Sequence, residues 1–161
     1  IIGQTKHELG GSEYLDQQGF IGNDIPNVDF EKALDRYRRV YRAVQKEMLT
    51  SLLHIDRGGI AIALAKSAMS GMIGAELRLS DVDMVDVDRD DRVLFSESKS
   101  RFLVSINPAL QSEFESCFLD ATCFGTVGGN NLKVIGTQQK RIIDVPVLQL
   151  LMCYKDPFNY Y

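Results

Sequence analysis

Eight apolar side chains, Phe30, Ala33, Leu34, Tyr37, Val40, Tyr41, Val44 and Met48, recur at steps of three and four after Asp29. That period belongs to one face of an α-helix, and Asp29 is placed to cap its start. A helix with so wide an apolar face is buried along that face. At 161 residues the chain is long enough for one domain with a real core to receive it. The opposite face carries Arg36, Arg38, Arg39, Arg42 and Lys46. We read it as a solvated helix surface, with contact to an acidic partner domain as the alternative.

The remaining chain alternates irregularly between helical and strand patterns. Ser51 to Arg57 reads as a strand or buried connection, and Gly58-Gly59 opens an alanine-rich helix from Ile60 to Met69 that Gly71 closes. So many small residues predict close packing against a sheet or another helix. Ala75–Leu79, Val93–Phe95, Phe102–Ile106, Cys123–Val127, Leu132–Ile135 and Arg141–Ile143 read as strands. Gly128-Gly129-Asn130-Asn131 turns between the fourth and fifth of these. Asn107-Pro108 leads into a short helix around Leu110, Phe114 and Phe118, and Asp144 is placed to cap a last helix with Pro146 near its first position. The class expected is α+β, or mixed α/β, with a mixed sheet flanked by helices in a single domain, 1–161. The opening residues, Ile1-Ile2-Gly3-Gln4-Thr5, read like the end of a strand and predict a piece of a longer chain.

Composition narrows the function. A net charge of −4 argues against a nucleic-acid face built on general basicity. No apolar run approaches the roughly 18 residues of a membrane span. Cys117, Cys123 and Cys153 form no CxxC pair and read as reduced, partly buried thiols of a cytoplasmic protein. His7 and His54 lack ligand-like spacing. Asp86, Asp88, Asp90 and Glu97 fall on calcium-hand positions, but Asp91 stands where the loop needs glycine and the flanks read as strands, so a solvated acidic loop is the better reading.

Two glycine pairs offer chemistry. Leu9-Gly10-Gly11-Ser12-Glu13-Tyr14 forms a compact turn whose consecutive N–H groups could hold an anion; the plainer reading is a turn with Ser12 capping the next segment. Gly58-Gly59 at a helix start is a second potential anion site, or equally a backbone crossing that needs no side chain. The polar run Ser96 to Arg101 suits either a hairpin or a ligand-facing loop.

Four stretches, in this order and spacing, resemble one family: Gly3-Gln4-Thr5-Lys6-His7-Glu8-Leu9-Gly10-Gly11-Ser12-Glu13-Tyr14; Gly58-Gly59-Ile60-Ala61-Ile62-Ala63-Leu64-Ala65; Leu94-Phe95-Ser96-Glu97-Ser98-Lys99-Ser100-Arg101-Phe102; and Gly125-Thr126-Val127 leading to Ile142-Ile143-Asp144. They look like the last domain of the phosphoribosylformylglycinamidine synthases (large synthetase subunit), within the aminoimidazole ribonucleotide synthetase superfamily. The resemblance implies a C-terminal domain of a multidomain, cytoplasmic purine-biosynthesis ligase that uses ATP and magnesium. It further implies contact with upstream domains of the same chain, a glutaminase subunit and a small accessory subunit. The isolated domain is then expected to be inactive, a wall of a second, pseudosymmetric nucleotide site. Gly10, Gly11, Ser12, Glu13, Gly58, Gly59, Glu97 and Ser98 are the phosphate- or nucleotide-proximal candidates. No catalytic residue or metal ligand is carried onto this chain. A nucleotide- or phosphate-binding module, or a subunit-interaction module of a related synthetase, is the alternative. One departure stands out: the family usually reads His-Asp-Val-Ser-Asp before the Gly-Gly, and here those positions are Leu53-His54-Ile55-Asp56-Arg57.

Overall fold

Ser12 and Asp29 each open a helix in the computed structural model, which describes residues 1–160. Strand β1 (Thr5–Lys6) precedes helix α1 (Glu13–Asp16), where Ser12 Oγ accepts the Leu15 amide at 3.3 Å. Helix α2 (Phe30–Gln45) starts where Asp29 Oδ1 accepts the Lys32 amide at 3.1 Å. Both caps satisfy N–H groups that the first turn leaves without a partner. There follow β2 (Ser51–Ile55), α3 (Gly59–Gly71), β3 (Ala75–Arg78), β4 (Met84–Val85), α4 (Asp90–Phe95) and β5 (Arg101–Ser105). The chain continues through α5 (Gln111–Cys117), β6 (Gly125–Val127), β7 (Asn131–Ile135), β8 (Arg141–Pro146) and α6 (Val147–Lys155). The class is mixed α/β, as the sequence predicts.

Four strands lie in the order β6-β3-β7-β8, with β3 antiparallel to β6 and parallel to β7, and β8 antiparallel to β7. Two smaller ribbons pair β2 with β5 antiparallel and β1 with β4 parallel. Leu77, Leu132 and Val134 share one sheet face by the period of two and meet Ile60, Ala63 and Leu64 of α3 in the main core. The small residues of α3 let it pack at once against β2, α4 and α6. A second core, Ile2, Val40, Ala43, Met48, Phe114 and Phe118, lies beneath α2 and α5.

Several local expectations change. Val93–Phe95 is the end of helix α4, not a strand: three apolar residues fit either period, and burial of Val93 and Leu94 between α3 and the sheet decides for the helix. The Gly128–Asn131 turn joins β6 to β7, but the two do not pair, because β3 lies between them. Asp144 lies within β8, taking Asn131 Nδ2 at 2.7 Å, and α6 begins after Pro146 without a side-chain cap. Gly71 is the last residue of α3, and Met72 takes the left-handed turn at φ 49°. Cys117 is half-buried, whereas Cys123 and Cys153 are exposed.

The orientation of α2 is the largest correction. Its buried side is Ala33, Val40 and Ala43, whereas Phe30, Leu34, Tyr37, Tyr41 and Val44 face outward. The basic face is not uniformly solvated. Arg36 and Arg39 turn inward onto Asp120, at 2.8 and 2.7 Å, and Arg39 stacks over Phe118. A guanidinium that finds a fixed carboxylate and an aromatic face gains more by packing there than by hydration.

Candidate functional site

The polar loop between α4 and β5 is organised by Arg101. By the alternation of β5, Arg101 points inward beside Leu103, and its side chain is fully buried. Its guanidinium donates from Nε to the Ser98 carbonyl at 2.9 Å, from one terminal nitrogen to Thr5 Oγ1 at 2.8 Å, and from the other to the Ser96 carbonyl at 2.6 Å. Burial pushes it down to about 10, against the opposing pull of Glu8 and Glu97. These bonds hold the loop against β1 and turn Glu97 into the interior.

Glu97 joins the two glycine pairs. Its Oε1 accepts the Gly58 amide at 2.9 Å and the Glu13 amide at 3.1 Å. The Glu97 amide donates to the Glu8 carbonyl at 3.0 Å, and Glu8 Oε1 accepts the Asn27 amide at 3.2 Å. Ser98 Oγ accepts the Lys6 amide at 3.1 Å, and Ser96 Oγ accepts the Glu8 amide at 3.4 Å. Four more candidate amides donate within the chain: Gly10 to Asp24 at 2.8 Å, Gly11 to Ile21 at 2.7 Å, Ser12 to Leu9 at 3.0 Å and Gly59 to Asp56 at 2.9 Å. The candidates thus gather in one place, with a carboxylate of the protein where an external anion would sit. At Gly59, φ is +62°, and a Cβ would meet the Leu94 and Ser96 carbonyl oxygens at 2.6 Å. The Gly-Gly therefore acts as a backbone crossing, one of its two readings from sequence.

Charge pairs edge the cluster, drawn from the segment that departs from the family pattern. Arg57 meets Glu13 at 2.7 Å, and Asp56 meets Lys99 at 2.7 Å. The hydrogen bond from Lys99 holds the Asp56 carboxyl below its ordinary range. His54 is exposed on β2, its ring 5.5 Å from Phe102. A cleft of about 300 Å³ opens beside these groups, lined by Gly11, Ser12, Glu13, Asp16, Phe20, Ile21 and Arg57. The calcium-hand carboxylates disperse: Asp88 pairs with Arg92 at 2.9 Å, Asp90 takes the Thr137 amide and hydroxyl at 2.7 Å, and Glu97 is engaged as above.

Two parts of this site escape the sequence reading. One is Arg101, although its place two residues before the inward Leu103 is a cue. The other is the grip of α2 on the loop, where Arg36 donates to the Ser100 carbonyl at 2.7 Å and Tyr37 meets Ser100 Oγ at 3.1 Å. No sequence signal pairs residues so far apart. Chemically the cluster is an internally neutralised knot that fixes backbone around a carboxylate.

The sequence profile of "AIR synthase related protein, C-terminal domain" matches residues 1–136. The phosphoribosylformylglycinamidine synthase subunit PurL of Methanocaldococcus jannaschii is 33% identical over 162 residues, covering 98% of this chain and 21% of its own length. The chain thus spans about a fifth of that relative. Among solved structures, Thermotoga maritima PurL complexed with FGAR superposes with a TM-score of 0.78 at 18% identity, over 92% of this chain and 26% of that one. The same protein complexed with ATP gives 0.69 at 18% identity, and the T. maritima PurLQS structure gives 0.73 at 17%; each covers 92% of this chain and 24% of the other. At these identities the structures speak for the fold.

Proposed function

The chain belongs to the family of AIR synthase related protein C-terminal domains, and from that membership we propose that it is the last domain of a phosphoribosylformylglycinamidine synthase large subunit. The observation that carries this reading is the 33% identity to the M. jannaschii PurL, spread over nearly all of the chain. In this reading the complete cytoplasmic enzyme converts formylglycinamide ribonucleotide to its amidine, with ATP and glutamine-derived ammonia, alongside a glutaminase subunit and a small accessory subunit. The reaction depends on positioning and charge neutralisation more than on any single reactive side chain.

The residues of this chain do not fit a phosphate or magnesium site of their own. The amides of Gly10, Gly11, Ser12, Glu13, Gly58 and Gly59 already donate within the chain, and Glu97 places a negative charge where a phosphate would come. In this reading ATP and magnesium belong to adjoining domains, which the engaged amides and the Glu97 carboxylate favour. Gly10 to Glu13, Gly58, Gly59, Glu97 and Ser98 serve as the wall nearest them, held rigid by Arg101.

A chimera tests the reading: this chain replaces the matching region of M. jannaschii PurL, and ATP- and ammonia-dependent amidine formation is assayed. Activity is expected from the chimera and none from the 161-residue chain alone. A folded but inactive chimera, or turnover by the isolated chain, would sink the proposal.

A further inference from the structure

We infer that the outward stripe of α2 is a docking seam for one amphipathic helix with carboxylates along its edge, belonging to the other part of the synthetase. This rests on the proposed place of the chain as one domain of a larger enzyme. Phe30, Leu34, Tyr37, Tyr41 and Val44 are 81, 50, 43, 65 and 45% exposed. Scattered exposed apolar side chains need no explanation, but these five form one line. Their spacing is four, three, four, three, the alternation of a helix–helix seam. An α-helix drifts only about 20° per heptad against such a repeat, so over the length of α2 the line stays straight. It therefore fits a helix lying at a shallow crossing angle of about 20°.

The charges choose the partner. Lys32 pairs with Asp29, Arg36 with Asp120, and Arg39 with Asp35 and Asp120. Among the described residues, Arg38 and Arg42 pair with no carboxylate, yet with Tyr37 and Tyr41 they line a groove of about 470 Å³ beside the seam. Two cations along one side of an apolar line call for an apolar line with acids along one edge. A second copy of α2 is the wrong occupant. In an antiparallel pair centred near Tyr37, the Arg38 side chains of the two copies would be set against each other, and like charges juxtaposed across an interface disfavour it.

The probe is M. jannaschii PurL lacking the region this chain matches, titrated calorimetrically with the 161-residue chain. One-to-one binding is expected. Leu34→Glu and Tyr41→Glu are expected to weaken it about thirtyfold or more each, as for anchors at the centre of an interface. Arg38→Glu with Arg42→Glu is expected to weaken it about tenfold and reduce its salt dependence. Leu148→Glu, an exposed site on α6, is the control and is expected to bind like the parent. Circular dichroism confirms that each variant is folded. Absence of binding by the parent chain, or unchanged binding by folded Leu34→Glu and Tyr41→Glu, overturns the seam. Unchanged binding by the double arginine variant overturns its acidic partner. Sedimentation showing a dimer of the chain that Tyr41→Glu dissolves assigns the seam to a second copy and also overturns the proposal. Amidine formation by the chimera is read separately, so an active chimera with indifferent α2 variants defeats the seam alone. Binding through α2 in an inactive chimera defeats the functional reading alone.

Discussion

The Glu97 carboxylate lies 2.9 Å from the Gly58 amide nitrogen across 39 residues of sequence, and the same oxygen takes the Glu13 amide at 3.1 Å. One buried side chain thus ties the first residue of α1 to the glycine that precedes α3. Glu97→Ala leaves two donors without an acceptor, at a cost of about 1–3 kcal/mol for each that is sealed from water. Urea unfolding is expected to show a loss of about 2–4 kcal/mol. Glu97→Gln, which keeps an acceptor, is expected to lose less. Faster hydrogen exchange at Gly58 and Glu13 would report the same event locally, and a midpoint unmoved by Glu97→Ala would contradict the role given to it.

Arg101 satisfies three acceptors at once, two of them carbonyls of the site loop. An ammonium group at the same position cannot reach all three, because it lacks the planar fork. Arg101→Lys is therefore expected to destabilise the fold by about 3 kcal/mol, the upper range for a broken buried network. It is also expected to raise exchange at Lys6 and Glu97, whose amides bond across β1 and the loop. Parental stability in Arg101→Lys would show that the loop holds itself.

Gly59 and Gly11 separate crowding from backbone strain. Both have positive φ, +62° and +69°, but a Cβ at Gly59 strikes two carbonyl oxygens, whereas one at Gly11 meets nothing within 4 Å. Gly11→Ala is expected to cost about 1 kcal/mol, from the left-handed backbone alone. Gly59→Ala adds displacement of the α4 end and is expected to cost several times as much. Equal losses in chemical denaturation would mean that α3 does not depend on that crossing.

Asp120 sets an acid dependence. Burial would raise its carboxyl, but hydrogen bonds from Arg39 and Arg36 outweigh burial and hold it below its ordinary value of 3.8. The native state thus favours the ionised form. That contribution is fully present above the unfolded value and is lost as pH falls below it through the lower folded value. Asp56, held down by Lys99, adds to the same window. The melting temperature is expected to drop below pH 3.8, and Asp120→Asn to lower stability at neutral pH while flattening that drop. An acid profile identical to the parent would remove Asp120 from the account.

The amino-acid sequence by itself determined what depends on neighbours a few residues away at Ser12, Asp29 and along α2, though not at Asp144, which pairs with Asn131 instead of capping α6. Asp29 and Ser12 cap their helices three residues ahead, the period from Phe30 to Met48 makes a helix, and the four motifs mark the family. Tertiary structure alone decided which way those elements face. The apolar side of α2 turned outward because Arg36 and Arg39 found Asp120 some eighty residues on, a partner no local pattern announces. Val93–Phe95 fits either period in sequence, and became helix because burial of Val93 and Leu94 against α3 selected that one. The glycine turns that looked open to an anion are closed from within, by Glu97 at Gly58 and Glu13 and by the Asp24 and Ile21 carbonyls at Gly10 and Gly11, since a buried amide takes whatever acceptor the fold brings within reach, and sequence does not specify which one arrives.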